Sequence, residues 1–345
     1  MQDSSQLVLE GITHLENGSW ESALHFFDQA IAIREASDWK SHPLAAWGLA
    51  AAYINRSDAL RRIDKLPEAI LSLDKAILSM DHVQLSNHPS YPDRLILAWI
   101  NLATAQEELS QPTLSAAAFA KAEDLLTTWG SETTPNRTFL AAMFHTNRAR
   151  FFIGKGESLA AWTDAATAVR LLNSLGCLQK IAPAAIRARG VLCQALALIL
   201  EIPNAEKFEA DWIARATDAA EEALELARTT NYQGEWLPSL VLYCARIYRI
   251  CQPHFLGEFL HDTFPQDSHL AKQPVLLQEM INELAFARSQ LVGRVIANSQ
   301  DTKFVIQETA TLHKLQLAET HLLTHPALLQ RASSGLSLNS FNQSQ

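Results

Sequence analysis

The stretch ESALHFFDQAIA, residues 21–32, decides the reading of this chain because it comes back in altered form. PEAILSLDKAIL stands at 67–78, TLSAAAFAKAED at 113–124 and LAAWTDAATAVR at 159–170, each 46 residues after the last. In this register Ala23, Ala69, Ser115 and Ala161 align. Four residues on come Phe27, Leu73, Phe119 and Ala165, and three further Ala30, Ala76, Ala122 and Ala168. Small, large, small at offsets of four and three lies on one face of a helix, and the small positions let a second helix approach closely. Pro43, Pro89 and Pro135 keep the same step, two of them preceded by histidine (His42, His88), and each introduces an apolar helical segment where the missing N–H costs no hydrogen bond.

Composition agrees. Among 345 residues there are 51 alanines against 25 Gly and Pro together, which favours helix and excludes a turn-rich all-β fold. A hydrophobic fraction of 48% is enough for a packed core. The net charge of -9 argues against nucleic-acid partners, which want clustered Lys and Arg. The four cysteines, Cys177, Cys193, Cys244 and Cys251, contain no CxxC pair and read as reduced, packed thiols. No basic segment followed by an apolar run opens the chain, and the apolar stretch 191–200 falls short of the roughly 20 residues a membrane span needs. A cytoplasmic protein with no membrane insertion is the expectation.

Working outward, each unit reads as two antiparallel helices: 4–16 with 20–37, 44–63 with 66–80, 90–109 with 112–128, and 136–153 with 157–175. The junctions ENGS, DKLP, LSQP and GKGE carry Gly, Pro and Ser punctuation. The expected organisation is four regular units over 1–180, one or two divergent units over 181–265, a C-terminal helical pair or cap over 266–326, and a polar flexible tail over 327–345. In the divergent part Ala216, Ala220 and Ala223 recover the small positions. A lone pair cannot bury its apolar face, so the units must stack.

These residues resemble the tetratricopeptide repeat (TPR) motif. The first unit carries it as Leu7, Gly11, Ala23, Phe27 and Ala30; the second as Tyr53, Ala69, Leu73 and Ala76; the third as Trp99, Ala103, Phe119 and Ala122; the fourth as Ala149, Phe152, Ala161 and Ala168. Gly11 gives way to Ser57, Ala103 and Ala149, and the period exceeds the usual 34, which is similar to the long-helix arrays of kinesin light chains and related adaptors. The resemblance implies an all-α, right-handed TPR-like solenoid of antiparallel helix pairs, with the first helices lining a concave groove.

In that register one first-helix position holds Asn55, Asn101 and Asn147, with Leu9 in the first unit. Asparagine is a mediocre helix-interior residue, so three at one position suggest a shared task. Each amide offers a donor and an acceptor, enough to hold the C=O and N–H of an extended peptide. The other reading is that they bond to adjacent repeats or face solvent. Asp58, Arg62, Thr104, Glu108 and Arg150 share the face, with Arg61, Glu107 and Thr146 beside them, and would set selectivity; Arg62 and Arg150 suit a carboxylate. The carboxylate clamp that docks chaperone C-termini fits poorly, since its positions are Val8, Ile12, Asn55, Leu97 and Asn101.

Other chemistry finds little support. There is no GxxxxGK[ST], GxGxxG or HExxH. His313, His321 and His325 share a spacing of eight and four but lack a fourth ligand. No catalytic residue, metal site or cofactor is expected. The sequence therefore points to a non-catalytic interaction scaffold that binds an extended peptide of a protein partner. The alternative is an assembly subunit working through its convex surface or C-terminal helices, including as a homo-oligomer.

Overall fold

The computed structural model describes residues 3–81, 91–128, 134–176, 180–202, 210–263 and 273–324. His88, Pro89, Cys177, His325 and the tail at 327–345, on which expectations above bear, lie outside the described residues. Among the described residues there are fourteen helices and no strand. They are α1 (Ser4–Glu16), α2 (Trp20–Glu35), α3 (Pro43–Arg62), α4 (Leu66–Asp81), α5 (Tyr91–Glu108), α6 (Pro112–Thr128) and α7 (Pro135–Gly154). There follow α8 (Ser158–Ser174), α9 (Ala182–Leu200), α10 (Ala210–Thr229), α11 (Leu237–Cys251), α12 (Pro253–Thr263), α13 (Pro274–Ala297) and α14 (Thr302–Leu323).

The termini form where local chemistry asks. Asp3 caps α1 by accepting the Ser5 N–H at 3.1 Å, and Thr134 caps α7 by accepting that of Arg137 at 3.2 Å. Pro43 and Pro135 stand in the first turns of α3 and α7. The turns that follow α1, α3, α5 and α7 share one backbone feature. Gly18, Asp64, Ser110 and Gly156, each 46 residues from the last, all take a left-handed conformation, with φ of 73°, 59°, 57° and 75°. Glycine does so freely; aspartate and serine do so at a cost.

The chain divides into two compact units, Met1–Lys155 with Arg170–Gly176, and Gly156–Val169 with Cys177–Gln345. In the first, α1 packs on α2, α3 on α4 and α5 on α6, and the first helices also touch in succession: α1 with α3, α3 with α5, α5 with α7. The small–large–small positions make the seams. Those of α2, α4 and α6 are all buried, from Ala23, Phe27 and Ala30 to Ser115, Phe119 and Ala122, and so are Ala161, Ala165 and Ala168 within the second unit. At Gly11 the absence of a side chain is a packing requirement, because a Cβ there would stand 2.5 Å from the Phe27 ring. Ser57, Ala103 and Ala149, at the same position of later repeats, are buried as well.

The second unit follows the same plan around α9, α11 and α13, which touch in that order, while α10 packs on α9 and α14 on α13. Ala216, Ala220 and Ala223 are fully buried against Leu240, Cys244 and Leu196. Trp162 and Trp212 pack edge to face with centroids 5.0 Å apart. Among the described residues α9 alone is long and apolar enough to cross a membrane, but its Ile186, Cys193, Leu196 and Ala197 lie in this core. Cys193 and Cys244 are free and buried, and Cys251 is free and half-buried.

Candidate functional site

The first helices of the first unit carry the asparagine row, and the structure separates its members. Asn55 on α3 and Asn101 on α5 are half-buried, and neither side chain makes a hydrogen bond among the described residues. Asn147 on α7 is only 4% exposed and is engaged by its surroundings. Leu9, at the same position of α1, is 64% exposed. One lattice position thus runs from an open apolar side chain, through two unpaired amides on helices in contact, to a buried and occupied one.

The neighbouring residues divide similarly. Glu108 on α5 holds Arg61 on α3 at two points, Nε donating to Oε2 at 3.0 Å and Nη2 to Oε1 at 2.6 Å. Burial lowers the Arg61 pKa, but the Glu108 hydrogen bond and the charges of Glu108, Asp58 and Glu107 raise it overall. Thr104 and Thr146 are buried and donate to their own helices, to Ile100 O at 2.9 Å and Ala142 O at 2.8 Å, so their hydroxyls are spent. Asp58 is half-buried beside Arg61. Arg62 is exposed and Arg150 half-buried, and both have contacts of their own. Gln106, 8% exposed, keeps its Oε1 without a hydrogen-bond partner among the described residues.

Arg56 and Arg148, next to Asn55 and Asn147, were missed by the sequence reading although they stand two repeats apart. Arg56 donates to Asp28 at 2.6 Å and to Ser72 at 2.7 Å. Arg148 reaches Glu123 at 2.7 Å and lies 4.5 Å from the Phe144 ring centroid. Each ties a first helix to the second helix of the preceding repeat. Beside them open two related clefts, of 170 Å³ at Glu35, Tyr53 and Lys75 and of 270 Å³ at Thr127, Phe144 and His145. Tyr53 and His145, and Glu35 and Thr127, are equivalent positions, so the two clefts share part of their lining on the 46-residue lattice. Tyr53 donates to Glu35, and burial followed by that bond raises its pKa well above the phenol range. These contacts fasten repeat to repeat; the row of asparagines lies elsewhere on α3 and α7, two residues along each helix.

Among the described residues no group of three His, Cys, Asp or Glu side chains is placed to hold a metal ion. His313 and His321 both lie on α14. What the arrangement can do is hydrogen-bond: two amides on touching helices, flanked by an internally neutralised Arg–Glu pair.

Stacked antiparallel helix pairs with small residues at the seams, Gly11 against Phe27 and first helices in mutual contact, make this a TPR-like helical-repeat protein. No protein-family model matches the sequence, and no curated protein matches it either. Two solved structures of the nearly identical TPR-like repeats of a candidate kinesin light chain from Podosopora anserina align with 67% of the chain. They are 16% and 17% identical, with TM-scores of 0.46 and 0.43 and 100% and 97% of their own length covered. The Rap conjugation gene regulator of the plasmid pLS20, solved in complex with the Phr* peptide, aligns over 96% of this chain and 76% of its own, at 14% identity and a TM-score of 0.48.

Proposed function

We propose that the protein is a non-catalytic adaptor that holds an extended peptide segment of a protein partner across α3 and α5. The observation that carries this is the pair of half-buried amides of Asn55 and Asn101, which make no hydrogen bond among the described residues. Both amides stay open to solvent, and an amide is matched to a peptide group, which offers one acceptor and one donor in return. Exposed Leu9 and Arg62 at the margins give such a segment apolar and charged neighbours. Asn147, buried and engaged, contributes less than the repeat suggests. The test is capture of partners from a lysate of the native organism by wild-type protein and by Asn55→Ala/Asn101→Ala, both checked by circular dichroism. A partner held by wild type and lost by the variant supports the reading; equal retention sinks it.

A second reading has its own observation. The C-terminal pair exposes Ile296 (70%), Ile306 (66%), Leu317 (57%) and Phe286 (49%), large apolar side chains open to a partner. An assembly subunit would use it. Light scattering that shows an oligomer dissociated by Ile296→Lys/Ile306→Lys favours this role; a monomer unchanged by the pair removes it.

A further inference from the structure

Two arginines from different helices converge on the first turns of α3 without a carboxylate between them. Arg34, on α2, donates from Nη1 to the carbonyl oxygen of Gly48 and from Nε to Ser4 Oγ at 3.2 Å. Its guanidinium lies over the Gly48 backbone, where a Cβ would sit 3.4 Å from Nη1. Arg94, on α5, donates from Nη1 to the carbonyl oxygen of Trp47 at 3.2 Å, and its Cζ stands 3.6 Å from the Trp47 ring centroid. The two cations therefore sit on the carbonyls of consecutive residues, one resting on bare backbone and the other on an indole face. Neither makes an ion pair among the described residues.

The arrangement is unfavourable as it stands. Both side chains are half-buried, like charges repel, and desolvation disfavours the charged form. Burial, with the charge of Arg34 added, pushes the Arg94 pKa down to about 10; burial also lowers that of Arg34, against a raising influence from Asp3. Asp3 itself spends an oxygen on the Ser5 N–H. A guanidinium has five N–H donors, so three of Arg34 and four of Arg94 remain after these bonds. Buried cations are ordinarily paired, and a planar fork is the group suited to an oxyanion.

We infer that Arg34 and Arg94 form a binding site for an oxyanion, a carboxylate or phosphate group bridging the two guanidiniums above the first turns of α3. Arg94 precedes Asn101 by seven residues, two turns along α5, so the site stands about 10 Å from the nearer amide of the asparagine row and works independently of it. Its placement is set by the repeat: Arg94 occupies the lattice position of Gly48, which is why a glycine on α3 receives Arg34 where α5 supplies its own arginine.

The test is isothermal titration of the full chain with inorganic phosphate and, separately, succinate, at ionic strength held constant with sodium chloride. Saturable binding of either is expected, weakened at least tenfold in Arg34→Gln and Arg94→Gln and unchanged in Arg228→Gln, a surface arginine of the second unit. Binding of phosphate alone names a phosphate-bearing ligand, and of succinate alone a carboxylate. Where a glutamine variant fails to fold, Arg94→Lys keeps the charge without the fork and is expected to weaken binding at least threefold. No saturable heat with either anion, or equal affinity in wild type and the Arg34 and Arg94 variants, overturns the site.

Discussion

Arg61 on α3 and Glu108 on α5, 47 residues apart in sequence, meet in a two-point ion pair that joins the first helices of adjacent repeats. Their side chains are 19% and 30% exposed, which leaves the pair partly open to solvent. Bidentate Arg–carboxylate pairs are among the stronger surface contacts, yet solvent still discounts them. Glu108→Ala is expected to lower stability by about 1 kcal/mol. A double-mutant cycle with Arg61→Ala, read by urea unfolding, should return most of that as coupling; additive losses would show the pair to be incidental.

Gly11 sets the closest approach of α1 to α2. A methyl group there meets three atoms of the Phe27 ring at 2.5, 2.8 and 2.9 Å, and Phe27 is fully buried with nowhere to yield. Gly11→Ala gains roughly 1 kcal/mol of helix propensity and loses about 1–3 kcal/mol to overpacking. A net fall in thermal midpoint is expected, recovered in part by Gly11→Ala/Phe27→Leu. A midpoint above wild type in the single variant would mean that the seam gives way freely.

Much of this architecture is legible in the sequence because its signals are local. Proline and glycine punctuation with a 3.6-residue period places α1 at 4–16 as observed, and sets α3 and α7 one residue late at their starts. The Ala–large–Ala seams follow from the same period, since one helical face must be buried whatever lies opposite. The row of asparagines is legible as a row, but not its grading, because the burial of Asn147 depends on what α7 packs against. Arg34 on Gly48 and Arg56 on Asp28 lie further from view. Both are long side chains reaching another helix, and no spacing along one helix encodes where they land.

The left-handed turn residues give a prediction that the repeat itself suggests. Gly18 and Gly156 adopt that conformation freely, whereas Ser110, at φ 57°, carries a Cβ against it. For an L-residue with a side chain the cost is about 1–2 kcal/mol. Ser110 lies exposed, with no side-chain bond among the described residues to lose. Ser110→Gly is expected to stabilise the protein by about 1 kcal/mol in urea unfolding, reduced somewhat by the added freedom of the unfolded chain. Unchanged or lowered stability would show that the turn relaxes around serine.

Alkaline pH should act through Cys251. Burial pushes its thiol up to about 11, with a smaller opposing influence from Thr217. In the unfolded chain the thiol ionises near its ordinary value of about 8.5, so between these limits the folded state holds the proton and the unfolded state does not. The contribution is therefore complete below about 8.5 and lost as pH rises through 11. Wild type is expected to lose about 2 kcal/mol more than Cys251→Ala between pH 8 and 10.5. Parallel curves would mean that Cys251 ionises as an open thiol.

In the second unit Glu283 on α13 joins two arginines of α11. Its Oε1 accepts from Arg246 Nε at 2.9 Å, and its Oε2 lies 2.7 Å from Arg249 Nε, an ionic contact rather than an aligned hydrogen bond. Arg249 also reaches Glu201 at the end of α9 and stacks 4.4 Å from the Phe286 ring centroid, so this cluster ties three successive first helices. Glu283 and Arg249 are each 8% exposed. At that depth, removing one charge strands its partners, which costs more than the intact cluster contributes. Glu283→Gln is expected to destabilise by about 3 kcal/mol, since Glu201 still answers part of the Arg249 charge. Adding Arg246→Met should restore part of the loss by removing the less buried stranded cation. The measurement is the denaturation midpoint of each variant at low and high salt. A loss that vanishes in 1 M sodium chloride would assign the cluster to the surface; one that persists confirms that its charges are held out of water.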